Sequence, residues 1–252
     1  MFRVVIPARY ASARLPGKAL KSIGGKPMVQ WVYERARASG AADVLIATDD
    51  LLIVSAGHSF DAEVVMTATN HASGTDRIAE VARQRGWSAD EVVVNVQGDE
   101  PLIPPVLIKQ VAALLESHPH ADIATLATPI DSVEELLNPN AVKVVTDTQG
   151  RALYFSRAPI PWSRDGAPAG LASQREFAGA RRHVGLYAYR VGALLRLAAL
   201  QPTRLEQAEK LEQLRALENG FDIRVADAAE RPGPDVNTPE DFERVLAITA
   251  RN

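Results

Sequence analysis

Three cationic side chains, a hydroxyl and a glycine crowd one stretch near the N-terminus. In IPARYASARLPGKAL, Ile6 to Leu20, the residues Arg9, Ser12, Arg14, Gly17 and Lys18 follow directly on an apolar run. Guanidinium and ammonium groups make charge-assisted contacts to phosphate that exceed neutral hydrogen bonds, and free backbone N–H groups add donors. Such a loop can hold a triphosphate. A solvated basic loop has the same composition, and what favours the phosphate reading is the position at the carboxyl end of a strand, where open α/β sheets bind ligands. Two other phosphate motifs are missing: a dinucleotide fold needs GxGxxG after its first strand, and a P-loop needs GxxxxGK followed by Ser or Thr. The first loop has no paired glycines, and Gly17-Lys18 runs on to Ala19 without the earlier glycine. Gly24 and Gly25 read as a simple turn before the next helix.

A second constellation is VVVNVQGDEP, Val92 to Pro101, where an apolar strand ends in Gln97, Gly98, Asp99 and Glu100. A carboxylate at a strand end suits a hard cation such as magnesium, and the glycine lets phosphate approach. Asp99 is the preferred ligand. Alone, GDEP would read as a turn aspartate before a proline; it is the pairing with the first basic loop that turns it into a metal–triphosphate site.

These loops need a sheet to hold them. Short apolar runs at Phe2 to Ile6, Val44 to Ala47, Glu63 to Met66, Val92 to Val96 and Ile123 to Ala127 alternate with helical spacing, which predicts an α/β fold with a mostly parallel sheet covered by helices. Prolines fit the starts of Met28 to Ala38 and Val106 to Glu116, and Gly40 and Gly86 fit helix stops. Thr238, Pro239, Glu240 and Asp241 open a last helix running to about Ala250. His183 to Arg190 alternates as a strand, and Arg204 to Asn219 reads as one long helix closed by Gly220. Between them, Tyr154 to Glu176 is rich in Pro, Gly, Ser and Arg. It predicts an irregular arm at about 154–182 in an otherwise single domain spanning 1–252, and a lid, a dimer arm or a loose loop all fit.

Composition narrows the setting. Hydrophobic residues at 46% and charged residues at 23% describe an ordinary globular chain of 252 residues. A net charge of -3 supplies no basic field for nucleic acid, so any phosphate site is local. With no cysteine there is no thiolate zinc site, disulfide or cysteine nucleophile. No apolar run is long enough for a membrane span and the N-terminus lacks a signal-peptide pattern, so the expected compartment is the cytoplasm.

IPARYASARLPGKAL, VNVQGDEP, NPNAVKVV, ALYFSRAPIPW and NTPEDFERV occur here in the order found in 3-deoxy-manno-octulosonate cytidylyltransferases, and from Val4 to about Val245 the chain resembles that family. The resemblance implies a nucleotide-diphospho-sugar transferase-like (Rossmann-like) nucleotidyltransferase fold with an inserted dimerisation or substrate arm. It also implies a homodimer, magnesium as cofactor, CTP and the acidic sugar Kdo as substrates, and a role in lipopolysaccharide synthesis. By position, Arg9, Ser12, Arg14 and Lys18 would hold CTP phosphates, Gln97 would help receive the nucleotide, and Asp99 would hold magnesium. Arg77, in SGTDRIAE, would lie near the cytosine, or would stand as an exposed helix arginine. For the sugar, the resemblance points to Arg157, His183, Glu212 and Gln213; on the residues alone, Glu212 reads as a solvated helix residue and His183 as a strand histidine with an ordinary partner. Arg14, Lys18 and Asp99 are the residues expected to carry catalysis.

One position departs from the family pattern, which has aspartate as a second metal ligand where this chain has Asn237. A neutral amide oxygen is a weaker ligand for magnesium. Asp235, two residues earlier, faces the same side in an extended segment and could compensate. The open alternatives are a cytidylyltransferase for sialic acid or an amino-Kdo analogue, and a non-catalytic nucleotide- or sugar-binding relative.

Overall fold

Valine-rich and isoleucine-rich segments buried on both faces form the centre of the molecule. A computed structural model describes residues 1–11, 15–167 and 169–250. Its strands are β1 (Phe2–Pro7), β2 (Ser22–Ile23), β3 (Lys26–Pro27), β4 (Asp43–Thr48), β5 (Glu63–Met66), β6 (Val92–Asn95), β7 (Ile123–Pro129), β8 (Lys143–Thr146), β9 (Ala152–Ser156), β10 (Arg181–Arg190) and β11 (Ile223–Asp227). The α-helices are α1 (Met28–Ala38), α2 (Leu51–His58), α3 (Gly74–Arg85), α4 (Pro105–Glu116), α5 (Val133–Leu137), α6 (Val191–Ala199), α7 (Arg204–Glu209), α8 (Gln213–Glu218) and α9 (Pro239–Thr249).

The main sheet runs β11-β7-β10-β6-β1-β4-β5, with β8 pairing to β10 and β9. β5, β4, β1 and β6 are mutually parallel, as are β7 and β11. Antiparallel β10 joins these two parallel blocks, so the sheet is mixed as well as mostly parallel. Val4, Ile6, Val94 and Leu126 face α1 and α4 on one side, and Val5, Leu45, Val93 and Phe155 belong to the apolar layer with α3, α6 and α8 on the other. Burial on both faces explains why these strands read as continuous apolar runs.

The Gly24-Gly25 turn joins β2 to β3 with φ of 56° and 84°, the left-handed pair that a tight hairpin demands. The expected helix from Arg204 to Asn219 is instead two helices. Lys210 adopts φ 54°, and the turn it makes buries Leu211 between α7 and α8. Helical spacing on either side continues through the break, which is why the pattern hides it. The expected excursion at Tyr154 begins later, since β9 extends to Ser156; between β9 and β10 the regular structure among the described residues is one 3-10 turn, Leu171–Ser173. No helix among the described residues is long and apolar enough to cross a membrane.

Candidate active site

The chain leaves β1 towards β4 and β5, then returns to place β6 on the other side of β1. Loops after β1 and β6 therefore part company at their carboxyl ends, and such a switch point opens a ligand crevice. The cleft there has a volume of about 330 Å³ and is lined by Arg9, Lys18, His71, Ser73, Gly74, Arg77, Gln97, Gly98, Asp99 and Asn237, among others. Ser12 and Arg14 lie outside the described residues.

Close packing brings the loops together. A Cβ on Gly98 would lie 2.9 Å from the carbonyl oxygen of Pro7, so a side chain here would push the β6 loop off the β1 loop. The Val236 amide donates to the Asp99 carbonyl at 2.9 Å, docking the C-terminal segment beside β6. Lys18 Nζ donates to Asp99 Oδ2 at 2.6 Å and to the Val236 carbonyl at 2.9 Å, tying all three segments. The N-terminus of α3, capped reciprocally by Ser73 and Asp76, opens onto the same cleft at Gly74; unpaired amides and the helix dipole there favour an anion.

Arg77 is not an exposed helix residue. It is 4% exposed, donates through Nη2 to Asp49 Oδ2 at 2.8 Å and through Nη1 to Thr67, and still lines the cleft. Asp49, which fixes it, was not legible as a site residue: it sits in a Thr-Asp-Asp run that marks only the end of β4. His71 was missed as well; it lines the cleft with its Nε2 against Glu80.

A second cleft of about 370 Å³ continues from the first. Gln97 and Asp99 line both. Its own walls include Glu100, Arg182, His183, Tyr187, Leu211, Gln213 and Asp235. Asp235 and Asn237 open onto different clefts, yet the Asn237 amide donates to the Asp235 carboxylate, so the two expected ligands meet at their side chains.

His183 stands between Phe155 and Tyr187, with ring centroids 5.0 and 5.2 Å away. Thr125 Oγ1 lies 2.8 Å from the Leu186 carbonyl and 3.0 Å from that of Val184, and its single proton serves these carbonyls. It therefore accepts from His183 Nε2–H at 2.9 Å, which leaves Nδ1 as an acceptor. Burial, reinforced by Arg182, pushes the imidazole down to about 3. Because the folded value lies below the unfolded one near 6.5, the neutral ring favours folding at neutral pH. That contribution shrinks as pH falls from about 6.5 towards 3, by roughly 1.4 kcal/mol per unit at most. Thermal midpoints followed from pH 7 to 4 should fall less steeply for His183→Gln than for the parent; parallel curves would mean that His183 does not titrate in this way.

Glu100 reports the charge balance. Burial first, then the carboxylates of Asp99 and Asp235, push it up to about 8, and its Oε2 has no hydrogen-bond partner. Negative charge thus concentrates where Asp99, Asp235 and Asn237 converge. Among the described residues, no group of three or more His, Cys, Asp or Glu side chains is arranged to hold a metal by itself. Magnesium needs no such cage, since it is commonly held by one or two carboxylates with substrate phosphates and waters completing its shell. Hard oxygens in a site rich in negative charge fit that ion.

Two expected sugar-side residues stand elsewhere. Arg157 lines neither cleft: its Nε donates to the Glu209 carbonyl at 2.6 Å and its Nη1 to that of Pro139 at 2.9 Å. The cation on the second cleft is Arg182, adjacent to His183 in RRHVGLY. Glu212 lines neither cleft and is no solvated helix residue either, because Thr75 Oγ1 donates to its Oε2. Gln213 and His183 both line the second cleft.

Residues 3–223 match the family model described as Cytidylyltransferase. The chain is 59% identical over 247 residues to a 3-deoxy-manno-octulosonate cytidylyltransferase of Pseudomonas syringae pv. tomato, covering 98% of this chain and 97% of that one. A protein of the same name from Thioalkalivibrio sulfidiphilus is 55% identical over 244 residues, with 97% of each covered. A solved structure of CMP:2-keto-3-deoxy-manno-octonic acid synthetase complexed with CTP superposes with a TM-score of 0.88 at 42% identity, covering 100% of this chain and 99% of that one. A cytidylyltransferase from Leptospira borgpetersenii, 14% identical with a TM-score of 0.64 over 99% of this chain and 86% of its own, shares the fold alone.

Proposed function

The chain belongs to the cytidylyltransferase family, and on that premise we propose that it transfers a cytidylyl group from CTP to Kdo, yielding CMP-Kdo and pyrophosphate. The observation that carries this reading is the shared wall: Gln97 and Asp99 line both clefts, so a nucleotide in one and a sugar acid in the other meet at those residues. The solved relative complexed with CTP supports CTP as the nucleotide, and the cations Arg9, Lys18 and Arg77 on the first cleft suit its phosphates.

The anomeric hydroxyl of the acceptor attacks the α-phosphorus in line. An O–P bond forms, the bond from phosphorus to the bridging oxygen breaks, pyrophosphate leaves with the electron pair, and the hydroxyl proton passes to solvent. Arg9 and Lys18, with Arg14 beyond the described residues, neutralise the phosphates, and Ser12, also beyond them, offers a hydroxyl to the nucleotide. The amide at Gly74, at the N-terminus of α3, offers a donor to an anionic oxygen. Arg77, locked by Asp49, presents a rigid guanidinium to the nucleotide. Gln97 and Gln213 offer amides to hydroxyls, His183 Nδ1 accepts from one, and Arg182 supplies the charge that a sugar carboxylate needs. Positioning and electrostatics carry the rate, with no covalent intermediate.

Asp99, Asp235 and Asn237 would hold magnesium. When bound, it supplies positive charge to the α-phosphate and lowers the cost of charge developing there. The remaining parts of the reading are a homodimer to which the irregular arm at about 154–182 contributes, action in the cytoplasm, and supply of activated Kdo for lipopolysaccharide.

Pyrophosphate release from CTP and magnesium, measured with Kdo, with sialic acid and with neither, tests the reaction and the sugar together. Strictly Kdo-dependent release is expected. Release with sialic acid alone would transfer the activity to that acceptor, and CTP binding without release under any condition would make the chain a binding protein.

A further inference from the structure

The segment between β5 and α3 forms one wall of the nucleotide cleft, which His71, Ala72 and Ser73 line. Its two ends are fixed. Thr67 donates its amide to the Thr48 carbonyl at 2.8 Å and receives Arg77 on its hydroxyl, while Ser73 is locked into the α3 capping box with Asp76. Between these ends the hold comes from Glu80, half-way along α3. Its Oε2 accepts the Ala68 amide at 2.9 Å and His71 Nε2, and its Oε1 accepts Gln84 Nε2 at 2.8 Å. Gln84 in turn donates to the Met66 carbonyl at 3.1 Å, at the end of β5. One carboxylate thus gathers two points of the wall onto the helix behind it. An ionised carboxylate only accepts, so the proton of a neutral His71 ring sits on Nε2 and Nδ1 is an acceptor. Burial works to raise the Glu80 carboxyl, but the bonds from Ala68, His71 and Gln84, together with the charge of His71, hold it below the ordinary carboxylate value. The bonds are therefore charge-assisted at neutral pH. Glu80 itself does not line the cleft.

We infer that Glu80 is a positioning residue of the nucleotide cleft: it pins Ala68 and His71 to α3 and so sets the place of the wall against which the nucleotide lies. It serves the nucleotide through His71, Ala72 and Ser73 rather than by touching it. The inference rests on the cytidylyl-transfer reading. A wall held in advance spares the nucleotide the cost of ordering it on binding. That advantage is the same for the bound substrate and for the transition state, so its loss raises KM for CTP and leaves kcat in place.

Titration calorimetry with CTP and magnesium, run beside pyrophosphate release, tests it. Glu80→Ala should weaken CTP binding and raise KM for CTP about ten-fold, the loss expected when hydrogen bonds to a charged group are removed, while kcat and KM for Kdo change little. Glu80→Gln keeps an oxygen for Ala68 and His71 and should restore most of that loss. Glu80→Asp keeps the charge but is one methylene shorter and should fall between the parent and Glu80→Ala; it also serves if the alanine variant fails to fold. Hydrogen exchange supplies the readout that a general loss of stability would not single out: amides of residues 68–72 should exchange faster in Glu80→Ala, well below its melt, while those of β1 and β6 keep their protection. Arg85→Met, which removes an ion pair to Glu63 from the same helix, should leave CTP affinity as it is.

Full CTP affinity in both Glu80→Ala and Glu80→Asp overturns the inference. An equal loss in Arg85→Met also overturns it, because the effect would then belong to α3 as a whole, and a fall in kcat at unchanged KM would place Glu80 in the chemistry instead. A parent protein that does not bind CTP removes the cytidylyl-transfer reading itself, an outcome visible before any variant is made.

Discussion

Replacing Asp99 by alanine should lower kcat by about a thousand-fold or more while the protein stays folded. Asp99 stands on the wall common to both clefts, the one place where a phosphate and an attacking hydroxyl can both be reached. Its backbone does the structural work independently of its side chain: the carbonyl accepts from Val236, and the preceding Gly98 packs against Pro7 in any Asp99 variant. The side chain is a quarter exposed and its ion pair is with Lys18, which keeps the Val236 carbonyl as a second acceptor. Losing a partly exposed pair costs about 1 kcal/mol at most, or roughly 2–4 °C in a chain of this length. Kinetics with CTP, Kdo and magnesium beside a thermal melt separate the two effects. Near-normal magnesium-dependent turnover would remove Asp99 from the centre of the reaction, and collapse of the melt would make its role structural.

The parts of this site written in local chemistry were legible in the sequence, and the parts made by tertiary packing were not. Asp99 and Lys18 could be paired from sequence because each follows an apolar strand in a loop with a glycine, and open parallel sheets gather such loops. That both strands lie side by side, with β4 and β5 beyond them, is what turns two loops into one cleft. Arg157 shows the limit. A lone arginine before an irregular arm carries no mark that distinguishes a carboxylate ligand from a group that binds carbonyls, and here the nearest acceptors are Glu209 and Pro139. Glu212 was hidden by the same break that split the expected helix, since the αL turn at Lys210 sends it towards Thr75 instead of along a solvated face. Arg182 was overlooked although it adjoins His183, because alternation in RRHVGLYAYR assigns faces without saying which face meets a cleft. The bulge between Val184 and Tyr187, where β10 shifts register against β7, further obscures that pattern.

Asn237 reads differently once its surroundings are known. Its side-chain amide carries no charge but donates to Asp235, and its backbone amide donates to the Asp241 carboxylate at 3.1 Å. The capping box of Thr238 and Asp241 that starts α9 therefore also fixes the Asp235–Asn237 segment beside Asp99. Two carboxylates at these positions would repel each other, whereas an amide and a carboxylate attract. Asn237 thus carries no charge of its own and makes a hydrogen bond that orients the Asp235 carboxylate.

Lys18 should prove nearly as sensitive as Asp99, for a different reason. Its ammonium lies 2.6 Å from Asp99 Oδ2, so in the absence of substrate it already supplies positive charge at the carboxylate that would hold magnesium. In the proposed transfer, charge would accumulate on the departing pyrophosphate, and a fixed ammonium on the wall of that cleft would offset it. Lys18→Met keeps the stem that packs along the loop but removes the charge, and kcat should fall by about a hundred- to a thousand-fold. The same change leaves Asp99 without its cation. Magnesium salts should then raise the thermal midpoint of Lys18→Met more than that of the parent, because the metal no longer displaces an ammonium to reach the carboxylate. Unchanged turnover would remove Lys18 from the reaction. A fall in turnover with identical magnesium responses would keep its role towards the pyrophosphate and show that it does not compete for Asp99.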